Sequence, residues 1–195
     1  MEILLASQSP RRRELLGQMG LTGFRAEGMD IDEEALAALP PVEMVEQLSA
    51  GKAGAAAALA GEDTVIIGAD TVVICDGKVF GKPRDGQDAV RMLTALSGRE
   101  HEVCTGVTVR RGGRVLTGHE LTRVRFRALS REEIDAYVAT GEPMDKAGAY
   151  GIQGRGALLV EGIVGDYYNV MGLPVCRLGQ MLRQFGVECL GQRNG

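Results

Sequence analysis

The run 64-TVIIGADTVVICDG-77 limits the fold of this chain more than any other stretch. It is apolar and β-branched almost throughout, as expected of a central strand, and its closing Asp-Gly offers a hairpin turn. Strand and helix patterns alternate on both sides of it. Ile3 to Ala6 reads as a short buried strand. Ser9 can cap the helix that follows, and Pro10 fits that helix's first position. Leu15, Leu16 and Met19 give the helix an inner face before Gly20 stops it. A second strand is expected near Phe24 to Glu27. Pro40 and Pro41 open a long helix with Val42, Val45 and Leu48 inward, running through the alanines to Gly61.

Past the central run, Asp85 to Leu96 is predicted as a helix with Val90, Leu93 and Leu96 on one side. Residues 102–111 and 114–128 read as two strands joined at Gly112 and Gly113. The capping box 130-SREE-133 starts a helix that ends at Gly141. The glycine-rich stretch 145-DKAGAYGIQGRGA-157 belongs to a loop, a strand follows near Leu158 to Ile163, and a helix from Pro174 carries Val175, Leu178, Leu182 and Phe185. The polar tail 192-QRNG-195 is expected to fray. With no repeats or linkers, one continuous α/β unit over residues 1–195 is predicted.

Composition removes several function classes. Apolar residues make up 45% of the chain and charged residues 25%, enough for a sizeable core. A formal net charge of −4 argues against a general nucleic-acid binder, so any anion site must be a local cluster. Cys75, Cys104, Cys176 and Cys189 lack metal-ligand spacing and are expected to be reduced, buried thiols of a cytosolic protein. No apolar run approaches the ~18 residues of a membrane span. The N-terminus enters a strand without a secretory leader, so a cytoplasmic location is expected.

Three charged constellations stand out. In 5-LASQSPRRRELL-16, Arg11, Arg12 and Arg13 crowd the helix end that already carries partial positive charge, where Asp or Glu is preferred. A bound anion resolves that conflict by taking backbone N–H groups, serine hydroxyls and a guanidinium fork together. The bland alternative is a solvated basic turn, and Arg13 is the one expected to face solvent. The second group is acidic. Asp30, Asp32 and Glu33 sit in a loop, and Asp70 interrupts the central strand, which is costly unless it is paired, hydrogen-bonded or metal-bound. Carboxylates beside an anion site make a hard-metal site plausible. The third group, Lys52, Lys82 and Lys146, stands out because the chain has only four lysines against eighteen arginines.

No P-loop motif occurs, and the glycines of 148-GAYGIQGRG-156 have the wrong spacing for a dinucleotide fingerprint. His101 and His119 lack a nearby serine or cysteine motif and are expected at surface or hairpin positions.

LASQSPRRRELL, the GADTVV strand, GKP at 81–83, DKAGAYGIQG at 145–154 and NVMGLP at 169–174 resemble, in order and over nearly the whole chain, the Maf family. The resemblance implies an α/β fold with a mixed central β-sheet flanked by helices, like that of the inosine triphosphatases. It implies a nucleoside triphosphate pyrophosphatase, dependent on a divalent metal and cutting between the α and β phosphates. It maps the phosphate-binding positions onto Ser7, Arg11 and Arg12, the acidic loop residue onto Glu33, the helix lysine onto Lys52, the catalytic aspartate onto Asp70 and the GKP lysine onto Lys82. Arg11, Thr71 and Gln153 resemble the branch acting on dTTP and UTP.

The expected chemistry follows from that mapping. Mg²⁺ or Mn²⁺ would be held by Glu33 and Asp70, Asp70 would act as general base, and Gln153 would read the edge that uracil and thymine share. The expected partner is the nucleotide, with no nucleic acid and no membrane; a homodimer is compatible with the resemblance. The alternatives are a nucleotide-binding regulator of septum formation without obligatory hydrolysis, and a nucleotidyltransferase.

Overall fold

A computed structural model describes residues 1–190 of the chain. The tail at 192–195 lies outside the described residues. The elements are β1 (Ile3–Ala6), α1 (Pro10–Gln18), β2 (Arg25–Ala26), α2 (Pro41–Ala56), β3 (Val65–Cys75), β4 (Lys78–Phe80), α3 (Gly86–Leu96), β5 (Glu100–Arg111), β6 (Arg114–Phe126), α4 (Arg131–Ala139), β7 (Val160–Val164), α5 (Tyr167–Met171) and α6 (Val175–Arg183). Seven strands form one sheet in the order β2-β1-β3-β5-β6-β7, with β4 paired to β3. β1 is parallel to β2 and β3, whereas β4 is antiparallel to β3 and β7 to β6. The sheet is therefore mixed, and the chain is an α/β protein. β3 is the expected interior strand: every residue of it is buried except Asp70 and Thr71, which are half-buried.

The described residues fall into two units, one of Met1–Asp70, Thr105–Glu120 and residues 172–190, the other of Thr71–Cys104 and Leu121–Met171. In the first, α2 lies directly on the sheet at two glycines. A Cβ added to Gly68 of β3 would stand 2.2 Å from the Ser49 carbonyl oxygen, and one on Gly106 of β5 would stand 2.1 Å from that of Val45. Only glycine permits so close an approach of two backbones. Beneath α2, the Ser49 hydroxyl bonds Thr108 at 2.8 Å and Thr108 bonds Thr117 at 2.9 Å, so the buried hydroxyls are mutually satisfied.

In the second unit, α3 and α4 pack over a core that includes Val73, Phe80, Leu93, Leu96, Phe126 and Tyr150. Asp85 caps α3 by accepting from the Asp88 N–H at 2.8 Å, and Ser130 with Glu133 closes the predicted capping box on α4. Asp76 (φ 50°) and Gly77 (φ 71°) make the β3–β4 turn with both central residues left-handed, as a tight Asp-Gly hairpin requires.

Several expectations need correction. α2 stops at Ala56 and tightens into a 3₁₀ turn over Ala57–Leu59, because Ala58 and Leu59 are exposed and bury nothing. β7 begins at Val160, since Leu158 ends a 3₁₀ turn with its side chain 71% exposed. Phe185 is buried but lies beyond α6. Of the four thiols, Cys75 and Cys104 are buried, Cys176 is exposed and Cys189 is half-buried; among the described residues none is in a disulfide. His101 lies on a hairpin strand, as expected, but it is a core residue with 3% exposure, packed edge-on against Phe126 and Tyr150.

Candidate active site

Parallel pairing brings the ends of β1 and β3 to the same side of the sheet, where α/β proteins build their crevices. The register sets Ala6 opposite Gly68, so Ser7 leaves β1 near the level at which β3 reaches Asp70. Ser7 is buried, and its hydroxyl oxygen accepts from the Ser9 N–H at 3.2 Å and from Arg12 Nη1 at 3.1 Å. Arg12 also donates from Nε to the Gly172 carbonyl at 2.8 Å, so the planar guanidinium is fixed along two edges. Burial lowers the Arg12 pKa, the nearby Asp70 carboxylate opposes that shift, and Arg11 adds to it.

The α1 start is as electropositive as the sequence suggests. Its first turn contains no acid, Pro10 takes the first position, and the Ser9 hydroxyl makes no capping bond to the helix. Arg13 is exposed, as expected.

Lys52 answers the cost of Asp70. The Gly68 contact seats α2 low over β3, and one turn beyond Ser49 the Lys52 ammonium donates to Asp70 Oδ1. The same ammonium stands 3.2 Å from Glu33 Oε1. The Lys52 and Asp70 side chains are each 13% exposed, whereas Glu33 is 60% exposed. One cation thus joins an enclosed carboxylate to a wet one. Asp32 has a local task, accepting from the Ala35 N–H at 3.1 Å to start the short turn after the acidic loop, and Asp30 is exposed.

The first unit therefore brings Ser7, Arg12, Glu33, Lys52 and Asp70 together, with Arg11 close enough to influence the Arg12 charge. Thr71, Lys82 and Gln153 belong to the second unit. Lys82 is exposed between Gly81, whose carbonyl accepts from the Gly148 N–H at 3.0 Å, and the buried Pro83. Gln153 is half-buried. Lys146 acts as a loop fastener, donating to the Glu142 carbonyl at 2.6 Å and to Asp145 Oδ1 at 2.7 Å.

Sequence reasoning missed two supports. The Gly172 carbonyl that holds Arg12 lies within NVMGLP, but a backbone acceptor has no residue-type signature. Asn169 of the same motif donates to the Val103 carbonyl at 3.0 Å and to the Thr122 hydroxyl at 2.9 Å. Among the described residues, no group of three or more His, Cys, Asp or Glu side chains could hold a metal. No helix among them is long and apolar enough to cross a membrane.

Fold and charges together define an α/β protein in which a basic helix start lies within electrostatic reach of a lysine-bound aspartate. The chain belongs to the Maf family: the model of that family, described as Maf-like protein, matches residues 2–185, a span that runs through both units. A dTTP/UTP pyrophosphatase of Symbiobacterium thermophilum is 54% identical over 185 residues, covering 95% of this chain and 94% of that protein. One from Moorella thermoacetica is 53% identical over 193 residues, 98% of each chain. One from Pelotomaculum thermopropionicum is 51% identical over 191 residues, 97% of this chain and 99% of that protein. The solved structure of a nucleoside-triphosphatase / dITP/XTP pyrophosphatase from Mycobacterium abscessus aligns at 15% identity and TM-score 0.42, over 65% of this chain and 73% of that one.

Proposed function

We propose that the chain is a nucleoside triphosphate pyrophosphatase hydrolysing dTTP and UTP to the monophosphate and pyrophosphate. Relatives bearing that name span nearly the whole chain at about half identity, 51–54%. The observation that carries the proposal is the Lys52–Asp70 pair within electrostatic reach of the anchored Arg12.

A triphosphate repels an attacking nucleophile with its own charge. Arg11, Arg12, Lys52 and the α1 N-terminus would neutralise that charge, and more strongly as it grows in the transition state. Ser7 holds Arg12 and offers its hydroxyl to phosphate. Lys82 adds a further cation from the GKP turn. Asp70 is the general base: it takes a proton from water as the water oxygen bonds the α phosphorus and the bond to the bridging oxygen breaks, releasing pyrophosphate. Arg11, Thr71 and Gln153 set substrate choice. The Gln153 amide carries both a donor and an acceptor, matching the N3–H and carbonyl edge common to uracil and thymine.

The donor set fits a divalent cation. Glu33 and Asp70 already share one cation, the Lys52 ammonium, and both are hard oxygen donors. Mg²⁺ is commonly bound by one or two carboxylates together with substrate phosphates and water. Glu33 and Asp70 would hold Mg²⁺ or Mn²⁺. When bound, that ion supplies charge neutralisation at phosphate oxygens and a more acidic water.

The test is a screen of standard and modified triphosphates for pyrophosphate release, with Mg²⁺, with Mn²⁺ and with chelator. Release from dTTP and UTP with metal alone, lost on chelation, is expected. Nucleotide binding without release would make the chain a regulator, and release only with an acceptor present would make it a nucleotidyltransferase.

A further inference from the structure

We infer that Glu142 is the positioning residue that sets Gln153 for reading the base. The inference rests on the base-reading role proposed for Gln153.

Glu142 follows α4, and its carboxylate is the hub of the loop that carries Gln153. Oε1 accepts from the Tyr137 hydroxyl at 2.9 Å and from the Gly156 N–H at 3.0 Å, and Oε2 accepts from the Arg155 N–H at 3.0 Å. The Tyr137 hydroxyl in turn accepts from the Gly151 N–H at 3.3 Å. The Lys146 ammonium closes the circuit on the Glu142 carbonyl at 2.6 Å. Gln153 is thus bracketed by tethered backbone, Gly151 on one side and Arg155 and Gly156 on the other.

The loop is built to fit that carboxylate. Gly154 is left-handed at φ +64°, and a Cβ there would lie 2.8 Å from Glu142 Oε2. A Cβ on Gly156 would lie 2.1 Å from the Gly151 carbonyl oxygen and 2.7 Å from the Tyr137 hydroxyl. Burial would raise the Glu142 pKa, but the Gly156 and Arg155 N–H groups, the Tyr137 hydroxyl and the Lys146 charge together outweigh it and hold the carboxyl low. The anchor is itself fixed, because Tyr137 is 5% exposed on the capped helix α4.

Chemistry makes this tether matter for specificity. A primary amide that can turn offers donor and acceptor in either order and suits cytosine as well as uracil. Discrimination requires the amide to be held, and the Glu142 hub tethers the backbone on both sides of Gln153.

The experiment compares wild type, Glu142→Ala, Glu142→Gln, Tyr137→Phe and Gln153→Ala. Pyrophosphate release gives kcat and KM for UTP and CTP, and amide hydrogen exchange reports on Gly151, Arg155 and Gly156. In Glu142→Ala, the UTP-over-CTP preference should fall about tenfold, mainly through a higher KM for UTP, as loss of an ordered polar contact does. Exchange at the three amides should accelerate. Glu142→Gln keeps an acceptor oxygen and should recover part of the preference. If Glu142→Ala does not fold, the near-isosteric Glu142→Gln and Tyr137→Phe give the same two readouts. A wild-type preference in the Glu142 variants, with preference lost in Gln153→Ala, overturns the inference alone. Preference kept in Gln153→Ala overturns the role of Gln153 and the inference with it.

Discussion

Gly68 of β3 and Ser49 of α2 touch backbone to backbone, with no room for a methyl group between them: a Cβ on Gly68 would meet the Ser49 carbonyl oxygen at 2.2 Å and the Ala53 nitrogen at 2.9 Å. That contact sets the height of α2 above the sheet and hence the reach of Lys52 to Asp70. Gly68→Ala should cost about 1–3 kcal/mol of stability through overpacking. It should also lower kcat/KM by lifting Lys52 off Asp70. Denaturant unfolding and steady-state kinetics on the same preparation check both, and wild-type stability would show that the helix can shift at no cost.

Asp70→Asn keeps the shape of the site and removes the proposed base. Turnover should fall by about 10³-fold, within the range of general-base deletions, while nucleotide binding persists. Calorimetric binding with a non-hydrolysable triphosphate, beside pyrophosphate release, separates the two. Near-normal turnover would remove Asp70 from the mechanism.

Arg12 uses two edges of its guanidinium, one on the Gly172 carbonyl and one on Ser7. Lysine supplies one charge at one point and cannot span both. Arg12→Lys should therefore raise KM for the triphosphate about 10- to 100-fold, the worth of one charged hydrogen bond. An unchanged KM would mean that Arg12 serves the fold alone.

His101 is neutral and buried, with its Nε2 2.8 Å from the Tyr150 hydroxyl and its Nδ1 without a hydrogen-bond partner among the described residues. Burial pulls its pKa from 6.5 down to about 4. The folded pKa lies below the unfolded one, so the unfolded chain binds the extra proton between those values. The contribution of His101 to stability is fully present above about pH 6.5 and is lost as pH falls toward about 4, by about 3 kcal/mol in all. Unfolding free energies of wild type and His101→Gln at pH 4.5 and 7.5 should diverge accordingly. Equal pH slopes in the two proteins would count against a neutral, buried His101.

The site was legible where chemistry conflicts with local preference. An aspartate in an apolar strand and three arginines at a helix start are each unfavourable locally, and such conflicts mark places where a distant partner compensates. The partner itself was less legible. Lys52 is 18 residues from Asp70 in the chain and was singled out through scarcity and resemblance, yet it is the counter-charge that makes Asp70 tolerable. Glu142 gave no signal at all, because a glutamate after a helix looks solvated until the loop wraps around it. His101 misled for the converse reason: nothing nearby in sequence says that two aromatic rings will cover it.

The sequence by itself determined the order of the longer strands and helices, though not the short β4 and α5, together with the basic turn, the acid on the central strand and the tight turns, because periodicity, capping and left-handed backbone are properties of short stretches. Only the tertiary structure decided that Lys52 bridges Glu33 and Asp70, that Arg12 is anchored on Gly172 and that Glu142 tethers the Gln153 loop. Those contacts depend on how closely elements approach across the sheet and between loops, which is set by glycines such as Gly68 and Gly154 through the absence of a side chain, a signal that acquires meaning only once the neighbouring backbone is in place.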